Sequence, residues 1–190
     1  MPGSEAWSEM VPAWALPVTV PANLVLVRHG GVVVSVGAVC AYPAGFEFYL
    51  TIGFDSGAVA GRGTGGAGSR LLGFHAHSPE ESASATRVGV SFADGRAADS
   101  LACMTGTALP GDLVVRFSGG DSGVQSYDQV WRAESRWWVS PLPPPGPVEF
   151  SVALSGAVVA DGAASLDAGL VIEAAGRSVV LWPGVATERR

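Results

Sequence analysis

The chain has 190 residues, of which 48% are hydrophobic and 15% charged, and its net charge is −6. That length suits one domain with a sizeable core, and the acidic balance argues against wholesale binding to a nucleic-acid backbone. All eleven basic residues are arginine, which excludes a phosphate-loop lysine, a Schiff base and a lysine-anchored pyridoxal phosphate.

Taken in chain order, residues 1–15 read as a tail, with Trp7 and Trp14 as its anchors. Residues 24–28 and 32–42 form an expected hairpin around His29, Gly30 and Gly31, where glycines supply the turn. A second turn falls at Tyr42, Pro43, Ala44 and Gly45. Next comes the clearest strand, in which Phe46, Phe48, Leu50, Ile52 and Phe54 alternate with Glu47, Tyr49, Thr51, Gly53 and Asp55. Period two with one apolar side predicts a strand with one buried face. Residues 57–85 are rich in glycine and then polar, and read as a long loop. Val88, Val90 and Phe92 resume the alternation before a turn at Ala93, Asp94, Gly95 and Arg96. Leu113, Val115 and Phe117 form another strand, which Gly119 and Gly120 are expected to close. Residues 125–132 and 131–139 read as strand, as do Val148, Phe150, Val152 and Leu154.

Between the last two strands lies the most specific stretch, WWVSPLPPPGP at residues 137–147. Prolines favour polyproline II geometry and lack backbone donors, so the run cannot lie inside a sheet ladder. It reads as a stiff crossover, its start anchored by Trp137 and Trp138. The C-terminal region is open to two readings. Leu166, Leu170 and Ala174 fall four apart, with Asp161 or Ser165 as possible caps and Gly176 as a stop, which favours one short helix. The same stretch could form a hairpin of residues 170–173 against 178–181.

These elements predict a mainly β, single-domain antiparallel β-sandwich, immunoglobulin-like or jelly-roll-like, over residues 16–184, with tails at 1–15 and 185–190. Charged residues are sparse beside the roughly 25% of a typical soluble domain. Such a surface fits either short polar loops or a face covered by another subunit. No apolar run of about 18 residues is present to span a bilayer, and the first twenty residues carry no basic residue for a secretory signal. Cys40 and Cys103 sit in or beside apolar segments and read as buried thiols. The expectation is a cytoplasmic protein that engages neither membrane nor nucleic acid.

Several motifs invite chemistry. Leu26, Val27, Arg28, His29 and Gly30 resemble the signature of the histidine phosphatases, but no later His-Gly supplies a second histidine. A hairpin turn with a solvent-facing His29 is the better reading. His75, Ala76 and His77 followed by Glu81 resemble the first metal motif of cupins. Histidines two apart on a strand face the same way, and a carboxylate can complete a metal face. The chain holds three histidines in all, too few for the second cupin motif as well. Gly120, Asp121, Ser122 and Gly123 resemble the nucleophile site of trypsin-like serine proteases, but no Ala-Ala-His-Cys-type segment precedes them, and Asp-Gly clusters build turns. The glycine run at 57–68 has neither a lysine nor a helix behind it to hold phosphate. Pro144 and Pro147 give a PxxP spacing, but strands on both sides favour an internal crossover.

A broader pattern combines Phe92, Ala93, Asp94, Gly95 and Arg96 at a strand end, Gly119–Gly120, the WW…LPPPGP crossover, and Leu181, Trp182 and Pro183. It resembles a set of uncharacterised actinobacterial proteins over roughly residues 16–183. The resemblance implies no activity, cofactor or catalytic residue. The residues therefore lead to a non-catalytic binding, interaction or assembly module without a cofactor, engaging a protein partner or forming a homo-oligomer. Its expected surface comprises Trp131, Arg132, Arg136, Trp137, Trp138, Pro143, Pro144 and Pro145, with the arginines free to make polar or cation–π contacts. The competing role for the tryptophans is core filling. The alternative function is a metal-dependent, cupin-like β-barrel enzyme using His75, His77 and Glu81.

Overall fold

The computed structural model describes residues 11–55, 86–101, 111–127, 130–155 and 159–182. The glycine-rich loop expected at 57–85 and Cys103 lie outside them, as does the tail expected at 185–190. The elements are β1 (Ala15–Leu16), β2 (Val18–His29), β3 (Val32–Tyr42), β4 (Gly45–Asp55), β5 (Arg87–Phe92) and β6 (Ala97–Asp99), then β7 (Val114–Tyr127), β8 (Val130–Ser140), β9 (Pro147–Ser155), β10 (Val159–Asp167), α1 (Ala168–Gly176) and β11 (Val179–Val180). They form a five-stranded sheet in the order β2-β3-β4-β8-β7, a four-stranded sheet in the order β10-β9-β5-β6, and a two-stranded ladder of β1 and β11. Every pairing is antiparallel. The two larger sheets pack face to face as an antiparallel β-sandwich, and they do not close into a barrel.

Local chemistry explains the strand ends. Gly30 and Gly31 both have positive φ, 56° and 77°, and two such residues in succession make the tight turn whose twist matches a hairpin. The alternation along β4 becomes its inner face: Phe46, Phe48, Leu50, Ile52 and Phe54 are 0–3% exposed. They meet Val88, Val90, Val148, Phe150 and Val152 from the opposite sheet. Phe150 stands edge-on to Phe46 and Phe48, with ring centroids 6.2 and 5.0 Å apart, the arrangement aromatic quadrupoles favour. The expected proline crossover, residues 141–146, carries the chain from β8 in one sheet to β9 in the other.

One side of the sandwich is drawn together where β10 crosses β2. A Cβ on Gly162 would stand 1.9 Å from the Leu26 carbonyl oxygen, so only glycine permits this approach. That crossing depends on a strand the sequence reading passed over. Residues 159–167 are rich in Ala and Gly, which have poor β propensity and show no apolar alternation. They form β10 because all nine pair with β9 and because small residues admit β2 alongside.

Three further expectations are corrected. Gly119 and Gly120 do not close β7, which runs on to Tyr127 through register shifts between Phe117 and Gly119 and between Asp121 and Gln125. Residues 125–132 are not one strand, because Gln125–Tyr127 belong to β7 and pair with Val130–Arg132 of β8. A short helix is present rather than the hairpin, but it begins later than expected. Asp167 caps it by accepting a hydrogen bond from Gly169 N at 2.9 Å. Its inner side is Ala168, Val171, Ala174 and Ala175, while Leu170 is 46% exposed. The apolar stripe shifted because Leu166 belongs to β10, not to the helix.

Candidate functional site

Successive side chains on a strand point to opposite faces, and β8 puts this to use at Trp137 and Trp138. Trp137 lies inside the sandwich at 2% exposure. It stands edge-on to Phe117 at 5.6 Å, and its Nε1 donates to Ser135 Oγ at 2.9 Å. Trp138, 1% exposed, faces the other way, into a separate small cluster with Ala15, Cys40 and Tyr42, edged by Val11, Trp14 and Tyr49. The Tyr42 ring is edge-on to it at 5.6 Å. Both indoles therefore act as core, one in each compartment, and neither is exposed to solvent.

The remaining expected residues are dispersed. Arg132 and Arg136 are exposed on the outer side of β8. Arg132 pairs with Glu134 on the same strand, and the Arg136 guanidinium donates to the Tyr49 hydroxyl. Along the crossover Pro143 is buried, Pro144 half-buried and Pro145 exposed. Trp131 lies opposite Phe54 and Ser126 in the ladder. His75, His77 and Glu81 lie outside the described residues. Among the described residues no group of three His, Cys, Asp or Glu side chains could hold a metal ion, and no helix is long and apolar enough to cross a membrane. His29 is exposed at the β2–β3 turn. Gly120 and Asp121, the start of the protease-like motif, lie in the β7 ladder opposite Ser135 and Glu134.

Two features of the outer surface escaped the sequence reading. The first is the polar side of the Trp138 compartment. Glu47, opposite Trp138 in the ladder, is only 4% exposed and accepts a hydrogen bond from Ser118 Oγ at 2.5 Å. A buried carboxylate needs such a donor. Burial, and then the charge of Glu47, push the Tyr42 phenol up to about 12. Burial likewise raises Tyr49, with Cys40 and Glu47 adding to the effect. Cys40 Sγ lies 3.5 Å from Thr19 Oγ1. Phenols held protonated and a carboxylate tied to a hydroxyl supply packing and hydrogen bonds, and neither phenol is poised to exchange a proton near neutral pH. The alternation of β4 hides this, since Glu47 falls on the polar side of the strand, opposite its apolar face.

The second feature is an apolar strip on the β1–β11 ladder. Leu16 lies directly opposite Val179, so the two share a face. The Leu181 N–H extends the ladder by donating to the Trp14 carbonyl at 2.8 Å. Leu16, Val179, Leu181 and Trp182 are 52%, 54%, 41% and 57% exposed. Residues 181–182 had registered in the sequence only as part of a recurring pattern, and nothing linked them to Leu16, some 165 positions away. Isolated exposed apolar residues are common, but four large ones on and directly after one short ladder are not.

The fold and these surfaces define an open antiparallel β-sandwich whose outer sheet face is capped at one end by an N-terminal segment. No protein-family model, curated protein or solved structure matches this chain.

Proposed function

We propose that this protein is a non-catalytic interaction module of the β-sandwich type, cytoplasmic, which engages a protein partner or a second copy of itself. The observation that carries the reading is the exposed apolar group of Leu16 and Val179, paired on the β1–β11 ladder, with Leu181 and Trp182 immediately after it, each more than two-fifths exposed. Leaving four large apolar side chains in water is unfavourable by roughly 25 cal/mol for each Å², so a surface that covers them gains in proportion. The sparse charge of the chain, 15%, fits a protein part of whose surface is covered. Cys40 is a free, buried thiol, in keeping with a reducing compartment. The likeness to uncharacterised actinobacterial proteins is part of the same proposal and adds no activity to it.

The double variant Leu181→Ser, Trp182→Ser tests the reading, since both side chains are exposed and their loss leaves the sandwich core intact. Tagged wild-type protein should retain a stoichiometric partner or sediment as an oligomer, and the variant should do neither while keeping its melting temperature. Identical association by wild-type and variant would remove the strip from consideration.

A further inference from the structure

We propose that residues 11–16 form a strap that is exchanged between two copies of this chain, the Trp14 and Ala15 of each copy covering the Trp138 of the other. The compartment they cover is separate from the sandwich core: Ala15, Cys40, Tyr42 and Trp138 form their own cluster, edged by Val11, Trp14 and Tyr49. Removing the strap therefore uncovers one compartment and leaves the other intact. Among the described residues its attachment is short. β1 pairs with β11 at two positions, and one further hydrogen bond joins Leu181 to Trp14. A single residue, Pro17, separates β1 from β2. A one-residue connector is a hinge of the kind that favours swapping, because a small backbone change there redirects the whole arm. Proline contributes no N–H, so the connector itself has no backbone donor to lose when the hinge opens.

Release alone is disfavoured, and this selects exchange. An opened strap uncovers Trp138 and Tyr42, which are 1% and 7% exposed when it is closed. An identical strap from a second copy restores every contact that the first one made, so the compartment is equally well covered in either state. What differs is the boundary between the copies. Leu16 travels with the strap, and in the exchanged pair it pairs with the partner's β11 beside Val179 and Leu181. The two apolar ladders are thereby brought to the junction between the copies, where each can cover the other. Exchange draws on the interaction reading for this driving force alone.

Cys40 supplies the reporter, because it is 8% exposed and lies under the strap. The chain has two cysteines, so in a Cys103→Ser background only Cys40 reacts with a thiol reagent. Light scattering on size-separated protein, from micromolar to millimolar, should show monomer and dimer that interconvert slowly. Copies labelled with donor and acceptor dyes should mix at the rate at which Cys40 is modified, since both events wait on strap release, and both should be far faster than global unfolding. Ala15→Glu drives a charge against Trp138 and should speed Cys40 modification by about tenfold or more while abolishing the dimer. A cooperative melt shows whether that variant keeps its sandwich; if it does not, the wild-type mixing comparison decides by itself. Monomer at every concentration overturns exchange, as does mixing that outpaces Cys40 modification or a dimer that survives in folded Ala15→Glu. A monomeric wild type whose partner capture is lost in Leu181→Ser, Trp182→Ser removes exchange and leaves the interaction reading standing. Mixing that tracks Cys40 modification, with capture unaffected by that variant, leaves exchange standing and removes the exposed apolar group as the capturing surface.

Discussion

Replacing Trp138 by alanine separates a packing role from a surface role, and the structure fixes the size of the effect. The indole is 1% exposed. It is edge-on to Tyr42 at 5.6 Å, and it packs so closely on the next hairpin that a Cβ on Gly45 would stand 2.8 Å from its Cζ2. Deleting a buried tryptophan side chain costs about 3–5 kcal/mol, and the lost aromatic pair accounts for about 0.5–1.5 kcal/mol of coupling within such effects. The compartment is small and one wall is the strap, which can settle inward, so the lower half of that range is expected. For a chain of this length each kcal/mol lowers the melting temperature by about 2–4 °C, which gives a fall of about 6–16 °C for 3–4 kcal/mol. Thermal and urea unfolding followed by circular dichroism measure it, with an unchanged urea m-value as evidence that the native state stays compact. Trp137→Ala, in the main core, should fall further. If Trp138→Ala melts within about 2 °C of wild type, less than about 1 kcal/mol, the compartment is not a packed core and the strap argument fails with it.

Gly162→Ala should destabilise by about 1–3 kcal/mol or more, because the added Cβ meets the Leu26 carbonyl oxygen and carbon at 1.9 and 2.9 Å and backbone cannot step aside; a urea midpoint equal to wild type would show that β2 and β10 do not touch. Tyr42 makes stability fall at high pH. Its phenol titrates near 12 when folded against 10.0 ordinarily, so the unfolded chain loses the proton first; the contribution is whole below pH 10 and disappears as pH rises towards 12. At about 1.4 kcal/mol per unit it amounts to roughly 3 kcal/mol, and urea titrations from pH 9 to 12 should give a flatter profile for Tyr42→Phe than for wild type. Asp167→Ala removes the cap of α1 and should cost about 1 kcal/mol, while Asp167→Asn, which keeps an acceptor, should stay close to wild type in the same melts.

Much of the sandwich was legible because its strands alternate. β3, β4, β5 and β9 each carry an apolar face that a period of two reveals, and Gly30–Gly31 marks its own turn. β10 was illegible for a physical reason: an Ala/Gly-rich strand is made by its neighbours, β9 and β2, and carries no pattern of its own. The register of α1 was lost for the same cause, since Leu166 looks like the first turn of a helix until β10 claims it. At the candidate site, adjacent tryptophans suggested a shared surface, whereas strand geometry divides them between two faces. The apolar strip joins residues from the two ends of the described chain, and only tertiary structure can place Leu16 beside Val179.

The division of labour along β8 has a bearing on how this protein can vary. Trp137 and Trp138 fill two compartments on opposite faces of the five-stranded sheet. A single inserted or deleted residue upstream in β8 would exchange their destinations, sending Trp138 into the space shaped for Trp137 and turning the charged side chains of Arg136 and Glu134 inward. Pointwise substitution at either position damages one compartment, but a frame slip damages both at once. Lineages of this fold should therefore keep the length of β8 invariant.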